Sequence, residues 1–113
     1  MVSKTRLLFG VLGAAATFVA IAPRAPSANT ASSAAIQIDN FHYSPPMLVV
    51  APGTTVTWTN RDDIPHTVVA TDKEFRSKAL DTKDDFSFTF TTPGSYQYFC
   101  SLHPYMKAMV TVE

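Results

Sequence analysis

The residues able to do chemistry are concentrated in one stretch, Cys100-Ser101-Leu102-His103-Pro104-Tyr105-Met106. It holds a thiol, an imidazole and a thioether within seven residues, and a second imidazole, His66, follows Pro65 upstream. Thiolate, two imidazoles and a weak thioether are the donors that copper prefers in electron-transfer sites. Cysteine with two histidines also suits zinc, although the thioether argues against it. The reading turns on whether the four side chains converge. Cys100 is expected to end one strand and Met109 to begin the next. The loop between them can bring Cys100, His103 and Met106 around one point, so His66 must arrive from another strand. Such a site is held by the scaffold rather than by the metal, which suits a centre whose charge changes while little moves. As a thiolate, Cys100 would bind strongly and give up its proton. His66 and His103 would complete a trigonal plane, with Met106 long and axial.

The elements that must position these donors read as all-β. Residues 36–38 alternate apolar and polar, and 47–51 form a short apolar run ended by Pro52-Gly53, a turn signal. Residues 54–60 alternate, with Val56 and Trp58 on one face and Thr55, Thr57 and Thr59 on the other, as in a half-buried strand. Residues 66–71 can form another strand, with Val68 and Val69 β-branched. Residues 72–84 are charged and irregular and carry no assignment. Residues 85–91 alternate with Phe86, Phe88 and Phe90 toward a core, and Pro93-Gly94 marks a turn. Residues 95–100 and 109–112 complete the set. Short strands with regular turn signals and no helical period imply a sandwich or barrel.

The N-terminal part differs in kind. Lys4 and Arg6 precede the uncharged apolar run 7–22, and residues 23–35 are rich in Ala, Ser and Pro. That order is the plan of a secretory signal peptide. The apolar run of 16 residues is slightly short for a membrane span. An uncleaved N-terminal anchor is the alternative. Both place the domain outside the cytoplasm, in the periplasm or another extracytoplasmic space. The expected division is 1–35 for signal peptide and linker, and 36–113 for the domain. Without Lys4, Arg6 and Arg24, six of the nine basic residues face nine acidic ones, a formal charge of −3. This argues against nucleic acid, which calls for a basic face. Contact with a membrane is expected only if the leader remains. The single cysteine cannot form an internal disulfide, and so small a domain often needs a metal or another staple.

From Phe41 onward the chain resembles the blue-copper cupredoxins, and among them the amicyanin and plastocyanin-like members. The resemblance rests on Ser44-Pro45-Pro46, Val50-Ala51-Pro52-Gly53, Val56-Thr57-Trp58-Thr59-Asn60 and Pro65-His66-Thr67-Val68. It continues through Phe88-Thr89-Phe90, Pro93-Gly94-Ser95-Tyr96 and residues 100–107. Cys-x-x-His-x-x-Met is the amicyanin-type loop spacing. The resemblance implies a Greek-key β-sandwich, one type 1 copper ion and one-electron transfer. It carries His66, Cys100, His103 and Met106 over as ligands. It also implies a monomer that docks transiently with a redox donor and acceptor near His103, where Leu102, Pro104, Tyr105, Ile64 and Pro65 would form an apolar patch.

Three departures stand out. Leu102 replaces the proline usual before the second histidine, so its amide is expected to donate to the Cys100 sulfur and raise the potential. Thr67 stands where many members have asparagine, which puts the loop-locking hydrogen bond in question. Ala108 replaces a common glycine and would be strained at positive φ.

Other residues have plainer expected roles. His42 is structural, Met47 and Met109 pack the core, and Trp58 is core. Asp62-Asp63 and Asp84-Asp85 are solvated turns. A copper-delivery module without electron transfer is the alternative function, although one thiolate in a closed four-donor set points away from it. A multicopper enzyme would need more histidines than His42 alone provides. The chain is therefore read as a carrier and not an enzyme.

Overall fold

A computed structural model describes residues 32–113. The apolar run and the candidate cleavage sites up to residue 31 lie outside the described residues. The strands are β1 (Ser33–Asp39), β2 (His42–Ser44), β3 (Met47–Val50) and β4 (Thr54–Asn60), then β5 (Val69–Ala70), β6 (Asp85–Phe90), β7 (Gly94–Phe99) and β8 (Lys107–Val112). They form a Greek-key sandwich of two four-stranded sheets, ordered β2-β1-β4-β6 and β3-β8-β7-β5. Both sheets are mixed, because β1 runs parallel to β4 and β3 parallel to β8.

The alternation in β4 does what it predicts. Val56 and Trp58 are fully buried, and the intervening threonines are half-buried. On the outer face Thr55 bonds Thr89 at 2.8 Å and Thr57 bonds Ser87 at 2.7 Å across to β6, a polar cross-strand ladder. One core joins the sheets: Ile36, Ile38, Trp58 and Phe90 from the first meet Tyr98, Val110 and Val112 from the second. Met47 and Met109 depart from the expected packing role. Met47 is 72 % exposed and Met109 half-exposed, because they are register partners at the start of the β3–β8 pair and share its outer face. Ala108 lies in β8 opposite Tyr98 and is not among the positive-φ residues, so the expected strain is absent.

Two features organise the site end. The strand expected over 66–71 shrinks to β5, because residues 72–84 fold back over it. His66 and Leu80 exchange backbone hydrogen bonds at 3.1 and 2.7 Å, Ser77 N donates to Val68 O, and Val68 N donates to Ser77 Oγ. Phe75 and Leu80 of this segment are buried in the core, which explains why a charged, aperiodic stretch is ordered. At the other edge, β1 turns into β2 through Asn40 and Phe41, at φ 48° and 61°. A two-residue hairpin with both φ values positive matches the twist of the strands, but it strains any residue with a Cβ. A left-handed non-glycine costs on the order of 1 kcal/mol, and Asn tolerates it better than Phe.

The Tyr98 hydroxyl and Trp58 Nε1 are buried without a hydrogen-bond partner. Burial pushes the Tyr98 phenol well above its ordinary range, outweighing the opposing effect of the neighbouring Trp58. A phenol raised in the fold contributes stability fully below the unfolded value of about 10, and loses it as pH climbs toward the folded value. Tyr98→Phe should therefore leave stability at pH 7 unchanged or higher by up to about 1 kcal/mol, since it deletes an unpaired hydroxyl. It should also flatten the fall of the unfolding temperature above about pH 10. Calorimetry at pH 7 and pH 10.5 or so checks both.

Candidate metal centre

His66, Cys100 and His103 converge at one end of the sandwich, their donor atoms all within 4.8 Å of one another. His66 and Cys100 are fully buried, His103 half-buried. Cys100 Sγ lies 3.8 Å from His66 Nδ1 and 3.6 Å from His103 Nδ1. Bonds of about 2.0 Å to nitrogen and 2.3 Å to sulfur, opened by 110–120°, put the two donors roughly 3.5–3.7 Å apart. The spacing thus suits a single small ion between the three donors. Met106 is buried on the same loop.

The loop is built by its own backbone. Cys100 follows β7, His103 N donates to Cys100 O at 3.2 Å, Met106 N donates to His103 O at 2.9 Å, and Cys100 N donates to Met106 O at 3.1 Å. Two consecutive turns, closed by the bond from Cys100 N to Met106 O, therefore fold the stretch before β8 begins at Lys107, two residues earlier than expected.

His66 is oriented by Asp62, which the sequence alone places in a solvated turn. Asp62 Oδ2 lies 2.7 Å from His66 Nε2, and the Asp62 carboxylate also accepts from Asn40 N at 2.7 Å and Phe41 N at 3.0 Å. Burial pushes this carboxyl up, but the Phe41 and Asn40 amides and the His66 ring outweigh it and hold it below the ordinary range. The carboxylate is thus an acceptor, so the His66 proton sits on Nε2 and the Nδ1 lone pair faces the sulfur. This corrects the expectation for Asp62. Asp63 is the exposed member of the pair. Asn60, fully buried at the end of β4, holds the intervening loop. Its Nδ2 donates to Ile64 O and Leu80 O, each at 2.8 Å, and its Oδ1 accepts from Asp62 N at 2.9 Å. A buried amide ending a strand of alternating threonines was the signal available for it.

The sulfur is reached by the Thr67 amide at 3.4 Å. Among the described residues, Leu102 makes no such bond, so the donor expected there is supplied instead by the segment that follows His66. Thr67 also closes the loop lock. Its Oγ1 accepts from Ser101 N at 2.7 Å and lies 2.8 Å from Ser101 Oγ. Below it, the buried Tyr43 hydroxyl donates to Thr67 O at 2.6 Å. Burial pushes the Tyr43 phenol far up, and the nearby Cys100 and Tyr98 add to this. His42 is exposed and turned away, its Nδ1 2.6 Å from Asn40 O.

Fold and donors together define a two-sheet sandwich carrying a His–Cys–His centre at one end. The chain belongs to the family described as the cupredoxin-like domain, which matches residues 10–112. It is 35 % identical to amicyanin of Paracoccus denitrificans, over 93 % of this chain and 86 % of that one. It is 33 % identical to plastocyanin of Scenedesmus fuscus, over 63 % and 86 %. Among solved structures it resembles a purple cupredoxin from Nitrosopumilus maritimus with a TM-score of 0.68 and 39 % identity, covering 71 % of this chain and 99 % of that one.

Asp62→Asn keeps the size of the side chain but removes one of its acceptor oxygens. It should weaken metal affinity about tenfold, as loss of a partner that orients a ligand does. Competition titration against a chelator of known affinity measures this.

Proposed function

We propose that this chain is a small blue, type 1 copper protein that carries single electrons between redox partners. His66, Cys100, His103 and Met106 would hold the ion. The observation that carries the reading is a fully buried thiol facing two Nδ1 atoms at 3.6 and 3.8 Å. When bound, copper supplies a one-electron couple between Cu(I) and Cu(II).

The chain's residues provide the rest. The Asp62 carboxylate and the Leu80 backbone fix His66. The Thr67 amide donates toward the sulfur and withdraws charge from it, which favours the reduced state. The backbone turns of residues 100–106 hold three donors in place whether or not the charge changes. Zinc could share the three-donor plane, but a buried methionine as fourth donor suits copper better. A delivery module needs an exposed site that exchanges its ion. Here His66, Cys100 and Met106 are buried, which favours retention. Catalysis by a second copper centre finds no support in His42, which is committed to Asn40 O.

His103 is the half-buried donor and is the natural point of electron entry and exit. Leu102 and Tyr105 beside it are 52 % and 70 % exposed, with Pro104 and Pro65 exposed and Ile64 half-buried. A small apolar surface of this kind supports weak, short-lived docking of a donor and an acceptor protein. The carrier acts as a monomer outside the cytoplasm, released from its leader or anchored by it. The division at residue 35 stands as part of this proposal, with β1 already under way at Ser33. No helix of the described residues is long and apolar enough to cross a membrane.

Redox titration of copper-loaded protein tests the reading. It should take up one electron per chain reversibly, and Met106→Leu should move the potential while the copper stoichiometry stays at one. A loaded protein that accepts no electron would point to the delivery alternative.

A further inference from the structure

The Asn40–Phe41 turn spends strain on an unusual residue. Asn-Gly would make the same turn without it, yet Phe41 stands at φ 61°. Strain of this kind is worth asking about when it places a side chain. The Phe41 ring meets both imidazoles edge to face: its centroid is 5.4 Å from His66 at 88° and 5.0 Å from His103 at 86°. The Phe41 amide is bonded to Asp62, the same carboxylate that holds His66 Nε2. The ring also lines a pocket of about 180 Å³ shared with Tyr43, Pro46, Tyr105 and Met106. Phe41 is thus wedged between this pocket and the two histidines, with 36 % of its surface in solvent.

We propose that Phe41 is a positioning residue that clamps both imidazoles and walls the metal centre off from the adjoining pocket. The proposal rests on the copper reading above. The clamp acts on His103 most, since that ring has no hydrogen-bonded carboxylate of its own among the described residues and relies on packing between Phe41 and Tyr105, whose centroid lies 6.2 Å away. Without the Phe41 ring, the pocket would open onto the donors, and a small anion could approach the centre.

Full-length wild type, Phe41→Gly, Phe41→Tyr and Asn40→Gly decide the matter. Glycine at 41 relieves the turn and removes the ring. Tyrosine keeps the ring. Glycine at 40 relieves the same turn and leaves the ring in place. With copper bound, azide should change the visible spectrum of Phe41→Gly saturably and leave the other three unchanged. Copper transfer to a chelator should be about tenfold faster from Phe41→Gly alone. In metal-free protein, NMR relaxation should show the His103 ring more mobile in Phe41→Gly only. A Phe41→Gly protein that ignores azide and keeps His103 as ordered as in wild type overturns the proposal. So does an Asn40→Gly protein that behaves like Phe41→Gly. Wild type that takes up no copper defeats the copper reading alone, because the ring motion of metal-free protein still decides the clamp.

Discussion

The site depends on one carboxylate. Asp62 accepts two successive amides from the strained turn at Asn40 and Phe41 and the Nε2 proton of His66. It thereby ties the β1–β2 edge of one sheet to the ligand segment that leads into β5 of the other. Three donors on one ionised acceptor hold its charge in a nearly buried place, with its side chain 11 % exposed. Asn60 bonds the Asp62 amide and the Ile64 and Leu80 carbonyls, so the loop between β4 and His66 is closed from within. Hydrogen bonds to an ionised group are among the stronger ones in a fold, roughly 1.5–3 kcal/mol each. A site fixed this way does not need the metal to shape it.

The second anchor is the Thr67–Ser101 link. It joins the His66 segment to the residue after Cys100 and brings the Thr67 amide onto the sulfur. One threonine therefore links the segment of His66 to that of Cys100 and places an amide against the sulfur. Tyr43 supports it from the core side. The two anchors meet in a small sandwich whose inner layer is dense in aromatic rings. Trp58 packs against Phe75, Phe86, Phe90 and Tyr98 at centroid separations between 5.4 and 6.3 Å. Aromatic contact of that density is how a domain this small keeps a rigid frame under its loops.

The cluster of Cys100, His103 and Met106 stands out in the sequence because those types are rare together and their spacing is local. A thiol, an imidazole and a thioether lie within seven residues, and the fold brings the thiol and that imidazole to one point with His66. The central strands were legible too, since β4 and β6 alternate cleanly. What could not be read is whatever depends on contacts distant in sequence. Asp62 looks like a solvated turn until the Asn40–Phe41 amides, some twenty positions away, close on it. Residues 72–84 lack any period because their order comes from three buried side chains, Phe75, Ser77 and Leu80, and a backbone exchange with His66. Met47 and Met109 look like core by type, and only the register of β3 against β8 turns them outward. The Leu102 amide seemed the natural donor to the sulfur from its place in the loop, yet the fold supplies that bond from Thr67.

The most direct test of the account is the visible absorption of purified protein titrated with Cu(II), with Cys100→Ser alongside. The account predicts an intense blue band, saturating at one copper per chain, bleached reversibly by reductant and missing from the serine variant. A colourless or weakly absorbing wild type, or a band that survives in Cys100→Ser, would contradict it.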